Sequence, residues 1–170
     1  MNKPFLLILM ATVLTVLTGC QAGPKPIQAE YNLAGPPIEE SATEVDGECL
    51  LHLVFPWEIE GNLSGTAITD YKILLHGPCS DEGGIGAFDE TWVYSGTFDG
   101  ELDGRSGTFD YYAFAEINDR LLTGQMAIVP GSGGGELANI VGVLSFEEVV
   151  GGDEPTPLSG YYYFNTSPTP

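Results

Sequence analysis

From about residue 48 onward the sequence predicts an all-β domain, an antiparallel sandwich or a closed barrel. Three observations carry this. No window repeats its apolar residues at the helical period. Successive short stretches alternate apolar and polar residues in part and are rich in β-branched and aromatic side chains. Glycine-containing turn signals separate them, and many strands joined by short hairpins suit a sandwich or barrel.

The predicted strands are 49–55, 57–61, 65–75, 91–98, 107–117, 121–129, 140–148 and 158–164. Turns are expected at Gly77-Pro78, Asp99-Gly100, Asp103-Gly104, Asn118-Asp119, Pro130-Gly131 and Gly151-Gly152. A weak repeat supports hairpins: Ser95-Gly-Thr-Phe-Asp-Gly100 recurs as Ser106-Gly-Thr-Phe-Asp-Tyr111, with a looser copy over 60–66. Glycines at that interval let a strand coil sharply or let another strand approach closely. The run Gly131–Gly135 lacks the Lys and Ser/Thr of a phosphate loop. It is expected to be a tight turn capped by Ser132 or Glu136, with one helical turn possible after it.

The N-terminus reads MNKPFLLILMATVLTVLTGC. Lys3 precedes an uncharged apolar run from Phe5 to Leu17, too short for a stable membrane span and suited to a signal-peptide core. The ending Leu17-Thr18-Gly19-Cys20 resembles the bacterial lipobox. That resemblance implies cleavage after residue 19 and acyl chains on Cys20, a stable anchor when two or more chains are carried. The expected location is the cell envelope, outside the cytoplasm and tied to a membrane. Residues 20–47, rich in Pro, Gly and acids, are expected to form a flexible tether. The barrel or sandwich domain is placed at 48–164, with a disordered tail at 165–170.

Acids outnumber bases 24 to 5, for a formal net charge of -19. A surface this negative repels nucleic acid, which is excluded as a partner, and anionic lipid head groups. The membrane link is therefore expected to be covalent. Hydrophobic residues at 43% and aromatics at 11% suffice for a packed core. Cys49 and Cys79 form an even pair in an oxidising compartment and are expected to make a disulfide. Free thiols, or a zinc site with His52 and His76, are the alternatives, but the Cys/His spacing matches neither finger nor ribbon. Asp99, Glu101, Asp103 and Asp110 lack the frame of a calcium loop. No metal and no cofactor are expected.

The segment Phe98-x-Gly100-x-Leu102-x-Gly104-Arg105-Ser106-Gly107-Thr108-Phe109 resembles a signature of the bacterial domain-of-unknown-function family 3224. The stretch from Val129 to Ala138, ending in Gly142, resembles that family's second signature, and Gly61-x-Leu63-x-Gly65-Thr66 its first hairpin. The matches span residues 58 to about 164. The resemblance implies a small antiparallel barrel of about eight strands, related to the allene oxide cyclase and dirigent barrels, with a central cavity in the better-known relatives. Those relatives often assemble as trimers, so a homo-oligomer is one expectation. No catalytic residue carries over from the family.

Glu90, Trp92 and Tyr94 share one face of a strand, and Tyr112 and Phe114 one face of the next. If those faces point into a barrel, they line a site for a small apolar ligand. Arg105 is expected in an ion pair with the surrounding acids, or on a ligand carboxylate. The only histidines are His52 and His76, and no nucleophilic triad is apparent. The expected function is a non-catalytic, lipid-anchored module that binds a small apolar ligand or an envelope partner. A cyclase or isomerase by fold analogy, and a structural acidic surface protein, are the alternatives.

Overall fold

The computed structural model describes residues 23–79, 85–151 and 154–165. The leader at 1–19, Cys20 and the tail beyond Asn165 lie outside the described residues. Among the described residues ten strands follow in order: β1 (Lys25–Leu33), β2 (Glu39–Val45), β3 (Glu48–Gly61), β4 (Leu63–Leu75), β5 (Glu90–Leu102), β6 (Arg105–Asn118), β7 (Leu121–Ile128), β8 (Gly134–Gly135), β9 (Ile140–Val149) and β10 (Thr156–Phe164). Their spatial order is β1-β10-β9-β7-β6-β5-β4-β3-β2, and β1 also pairs with β3. That last pairing closes an antiparallel barrel of eight strands. β2 and the short β8 are attachments to β3 and β6. Closure leaves the barrel itself no unpaired edge.

The far edge of β3 serves two partners in turn. Its first half pairs with β2, ending at Glu39↔Val54, and its second half pairs with β1, beginning at Leu33↔Trp57. Pro56 lies in the gap between these ladders, where its missing N–H costs no ladder bond. The stretches 49–55 and 57–61, expected as two strands, are therefore one.

Residues 25–33 and 39–45 are strands and not part of a flexible tether. β1 is an integral stave: Lys25–Tyr31 pair with β10 and Ala29–Leu33 with β3, burying Ile27 and Ala29. The barrel thus spans 25–164, where 48–164 was expected. Only Ile27, Ala29 and Tyr31 alternate in this Pro-containing segment. Its hydrogen bonds run to partners remote in sequence, so local periodicity carried no signal for it.

The repeat is built as a hairpin. Asp103 and Gly104 adopt positive φ of 49° and 76°, a two-residue turn of the type that matches strand twist. This folds the two copies back on each other, with Phe98 opposite Phe109 and Gly100 opposite Gly107. The Phe rings stack at 4.7 Å. Gly65 of β4 lies opposite Gly100, extending the glycine row. A Cβ at Gly100 would fall 2.2 Å from the Ser64 carbonyl oxygen, so backbones cross here at a separation only glycine permits. Asp99-Gly100 is consequently mid-strand and not the expected turn. After β7, Ser132 caps the turn through Val129 O at 2.8 Å, and Glu136 accepts Ser106 N–H at 3.1 Å. No helix follows; residues 136–139 form hydrogen-bonded turns through bonds such as Leu137 N–H to Gly134 O.

Inward residues alternate along every stave and form one cluster. Leu63, Phe98, Leu102, Phe109, Leu137, Ile140 and Tyr162 fill one end of the barrel. The other end is less completely filled, and the candidate site lies there.

Candidate functional site

Strand alternation aims Tyr31 of β1, Phe55 and Trp57 of β3, Tyr71 of β4, Trp92 and Tyr94 of β5, and Phe146 of β9 toward the barrel axis. They surround a cavity of about 150 Å³, with Ile85, Val150, Leu33 and Glu148 nearer its mouth. A second space of about 30 Å³ continues below, over Phe98, Phe109 and Tyr111. The rings meet mainly edge-to-face: Tyr31 and Trp57 at 5.0 Å and 83°, Tyr71 and Trp92 at 5.7 Å and 84°. Tyr71 and Tyr94 lie closest, at 4.7 Å. Such geometries are the favoured ones for quadrupolar rings.

The link between β4 and β5 flanks the mouth. Cys79 on this link is joined to Cys49 of β3 by the expected disulfide. Ile85 reaches the cavity, and Gly86 donates its N–H to Glu90 Oε1 at 2.5 Å. The histidines near the cysteines have separate partners: His52 faces Asp70 at 3.2 Å, and His76 bridges Glu48 at 3.0 Å and Thr91 at 3.2 Å.

The polar atoms differ sharply in how they are satisfied. Glu90 is 2% exposed and accepts the Trp92 indole N–H at 2.7 Å as well as Gly86 N–H. Burial pushes its carboxyl above the ordinary range, and the two hydrogen bonds offset only part of this. Glu148 accepts the Thr156 hydroxyl at the mouth. Thr69 and Tyr111 share a hydrogen bond of 2.5 Å, and burial pushes the Tyr111 phenol up to about 12. Burial also raises Tyr31, Tyr71 and Tyr94 well above the usual phenol value, so all four stay neutral at physiological pH. Trp57 Nε1 is buried and meets no acceptor among the described residues. Among the described residues the wall therefore offers ring faces and neutral hydrogen-bond donors, with the Glu148 carboxylate at its rim.

Of the expected lining residues, Trp92 and Tyr94 face the cavity. Glu90 is also turned inward but sits behind Trp92 as its acceptor, outside the lining. Tyr112 is 58% exposed and points out of the barrel, with Phe114 beside it on the same outer face. β6 carries aromatics on both faces, Phe109 and Tyr111 inward and Tyr112 and Phe114 outward. A one-residue choice of face inverts the whole assignment. Arg105 is exposed at the opposite end of the barrel from the mouth, with its guanidinium 4.5 Å from the Phe164 ring centre. It neither lines the cavity nor forms the expected ion pair within bonding distance of Asp99, Glu101 or Asp103. Asp103 is held instead by the Tyr162 hydroxyl at 2.6 Å and the Asn62 amide at 3.1 Å.

Tyr31, Trp57, Tyr71 and Phe146 line the cavity without being expected there from the sequence. Tyr31 lay in the supposed tether. Phe55-x-Trp57 and Tyr71 carried a usable signal, since each shares its strand's buried parity with neighbours such as Leu53 and Ile73.

These features define a closed eight-stranded antiparallel barrel that keeps an aromatic cavity at one end. The chain belongs to the family described as "protein of unknown function (DUF3224)", whose model matches residues 27–156. Its fold is similar to a crystal structure from that family, a protein of unknown function from Shewanella oneidensis MR-1. The two are 19% identical, with a TM-score of 0.67 over 85% of this chain and 99% of that one. No curated protein matches the chain.

Proposed function

We propose that this protein is an exported lipoprotein, anchored through acyl chains on Cys20, whose barrel binds a small apolar ligand without transforming it. The observation that carries the binding reading is the cavity of about 150 Å³ walled by aromatic side chains. Core packing normally leaves few voids larger than a water molecule, and a concave apolar space with a few polar groups is the usual form of a ligand site. The Lys3–Cys20 sequence and the Cys49–Cys79 disulfide support an oxidising, extracytoplasmic setting. The acid excess supports covalent anchoring in preference to adsorption on anionic lipid.

Native mass spectrometry of the full chain, extracted gently from its own membranes, tests both halves. The expected species begins at Cys20, carries diacylglycerol and fatty acid, and retains a small non-covalent molecule lost on activation. A cytosolic polypeptide with residues 1–19 intact would overturn the anchoring. A lipidated chain that never carries a second molecule would overturn the binding role.

A further inference from the structure

We infer that the cavity selects a neutral, planar, single-ring molecule bearing a hydrogen-bond acceptor, and that Trp57 Nε1 is the donor that recognises it. This rests on the reading of the cavity as a binding site and specifies its ligand.

Size sets the first limit. A cavity of about 150 Å³ is the scale at which an apolar protein void accommodates one benzene-sized guest. The space of about 30 Å³ below it holds no more than a water or a small substituent. The walls set the second. Tyr31, Trp57, Tyr71 and Trp92 present edges and faces at steep mutual angles, which a flat ring satisfies better than a branched alkyl group.

The polar groups set the third. Two indoles border the cavity, and they differ in one respect. The Trp92 N–H is satisfied by Glu90 at 2.7 Å. The Trp57 N–H is buried and meets no acceptor in hydrogen-bond geometry among the described residues, while the Tyr71 phenol lies near enough that this N–H offsets a small part of its burial. A buried donor without a partner is costly, and buried polar groups of native proteins are nearly always paired. An acceptor brought in by a ligand relieves that cost. An indole N–H only donates, so the matching group is a carbonyl or comparable oxygen. Among the described residues no Lys or Arg lines the cavity, and the carboxylate at its rim is Glu148. An anionic guest therefore has no counter-charge and meets a like charge on entry.

Three probes on one ring size test this: acetophenone, which has the acceptor; ethylbenzene, which has the shape alone; and benzoate, which has the charge. The protein is the mature chain with Cys20→Ser, which removes the lipid and leaves the barrel residues unaltered. Titrations are followed by calorimetry and by the two indole N–H resonances in ¹⁵N spectra. Acetophenone is expected to bind about tenfold more tightly than ethylbenzene, the scale of one hydrogen bond. It should shift the Trp57 N–H while Trp92 moves little, and benzoate should not bind. Trp57→Phe should abolish the preference for acetophenone and keep ethylbenzene binding. The wild-type resonances decide the matter even if that variant does not fold. Equal affinities with an unmoved Trp57 N–H would overturn the inference and leave the binding site standing. Failure of both neutral probes would overturn the two together.

Discussion

Glu90 Oε2 accepts the indole N–H of Trp92, two residues along the same strand, at 2.7 Å. Residues at that interval share a face of the sheet, so a buried carboxylate holds one aromatic wall of the cavity from behind. The same carboxylate takes Gly86 N–H and ties the β4–β5 link to the barrel end. Glu90→Gln keeps the shape but turns an amide N–H₂ toward one of the two donors. A loss of about 1–3 kcal/mol is expected for the orphaned donor. The raised carboxyl of Glu90 fixes the sign of the pH effect. The folded state holds this proton to higher pH than the unfolded state does. Stability from this group is present in acid and is lost as pH rises through the folded value. The deficit of the Gln variant should therefore be larger at pH 5 than at pH 7, as read by denaturant titration at each pH.

The Cys49–Cys79 bridge spans a sequence separation of 30. Chain entropy credits such a loop with about 3–4 kcal/mol. Cys49→Ala with Cys79→Ala should lower the melting temperature by about 10 °C while leaving the far-ultraviolet circular dichroism of the folded state unchanged. No shift between oxidised and reduced protein would show that the two cysteines are not bridged in solution.

Gly65 and Gly100 face each other across the β4–β5 ladder. A Cβ at Gly65 would lie 2.3 Å from the Asp99 carbonyl oxygen, at a φ of 150°. Backbone on both sides cannot yield as a flexible side chain would. Gly65→Ala and Gly100→Ala should each cost about 3 kcal/mol or more. Gly104→Ala, with open space around it at a φ of 76°, carries only the backbone penalty of about 1–2 kcal/mol. Equilibrium unfolding of the three variants should give that ranking.

Asp103 accepts the Tyr162 hydroxyl, and this bond is the main cause that lowers its carboxyl below the usual range. The folded state sheds this proton at lower pH than the unfolded state does. The stabilisation is therefore present at neutral pH and disappears as pH falls through the folded value. Tyr162→Phe should flatten the acid limb of the stability profile. The phenol is pushed up to about 12, so the wild type should also weaken as alkaline pH climbs from 10.0 toward that value. Thermal melts across pH for both proteins provide the check.

β1 pairs on both sides, with β10 and with β3. A chain starting at residue 48 would lack this stave, expose both of those strands and lose the buried Ile27 and Ala29. Such a chain should fail to fold, whereas one starting at residue 23 should fold and melt cooperatively. Proteolysis with amide-exchange protection distinguishes the two.

Much of the barrel was legible in local patterns. The residues of β4, β6, β9 and β10 alternate over their lengths, and Asp103-Gly104 carries its own hairpin chemistry. The repeat Ser95–Gly100 against Ser106–Tyr111 also foretold the facing strands. The site was only half legible. Trp92 and Tyr94 follow from parity with Glu90. Tyr112 lies outside, where the lining expectation places it inside, because parity alone does not say which face of β6 is buried. Tyr31 was missed because its strand is held by partners remote in sequence.

The amino-acid sequence alone determined the β character of 48–164, the place of the main hairpin turn, the acid excess and the even pair of cysteines left beside Cys20. These depend on alternation, on turn chemistry and on composition, all of them properties of neighbouring residues or of the chain as a whole. Tertiary structure decided that 25–33 completes the ring, that Pro56 sits where β3 changes partner, and that Trp57 keeps an unmatched N–H beside Tyr71. Each of these depends on which distant strands share hydrogen bonds and in what register. A register shift of one residue exchanges the buried and exposed faces of a strand, so the cavity exists only once every stave has been paired.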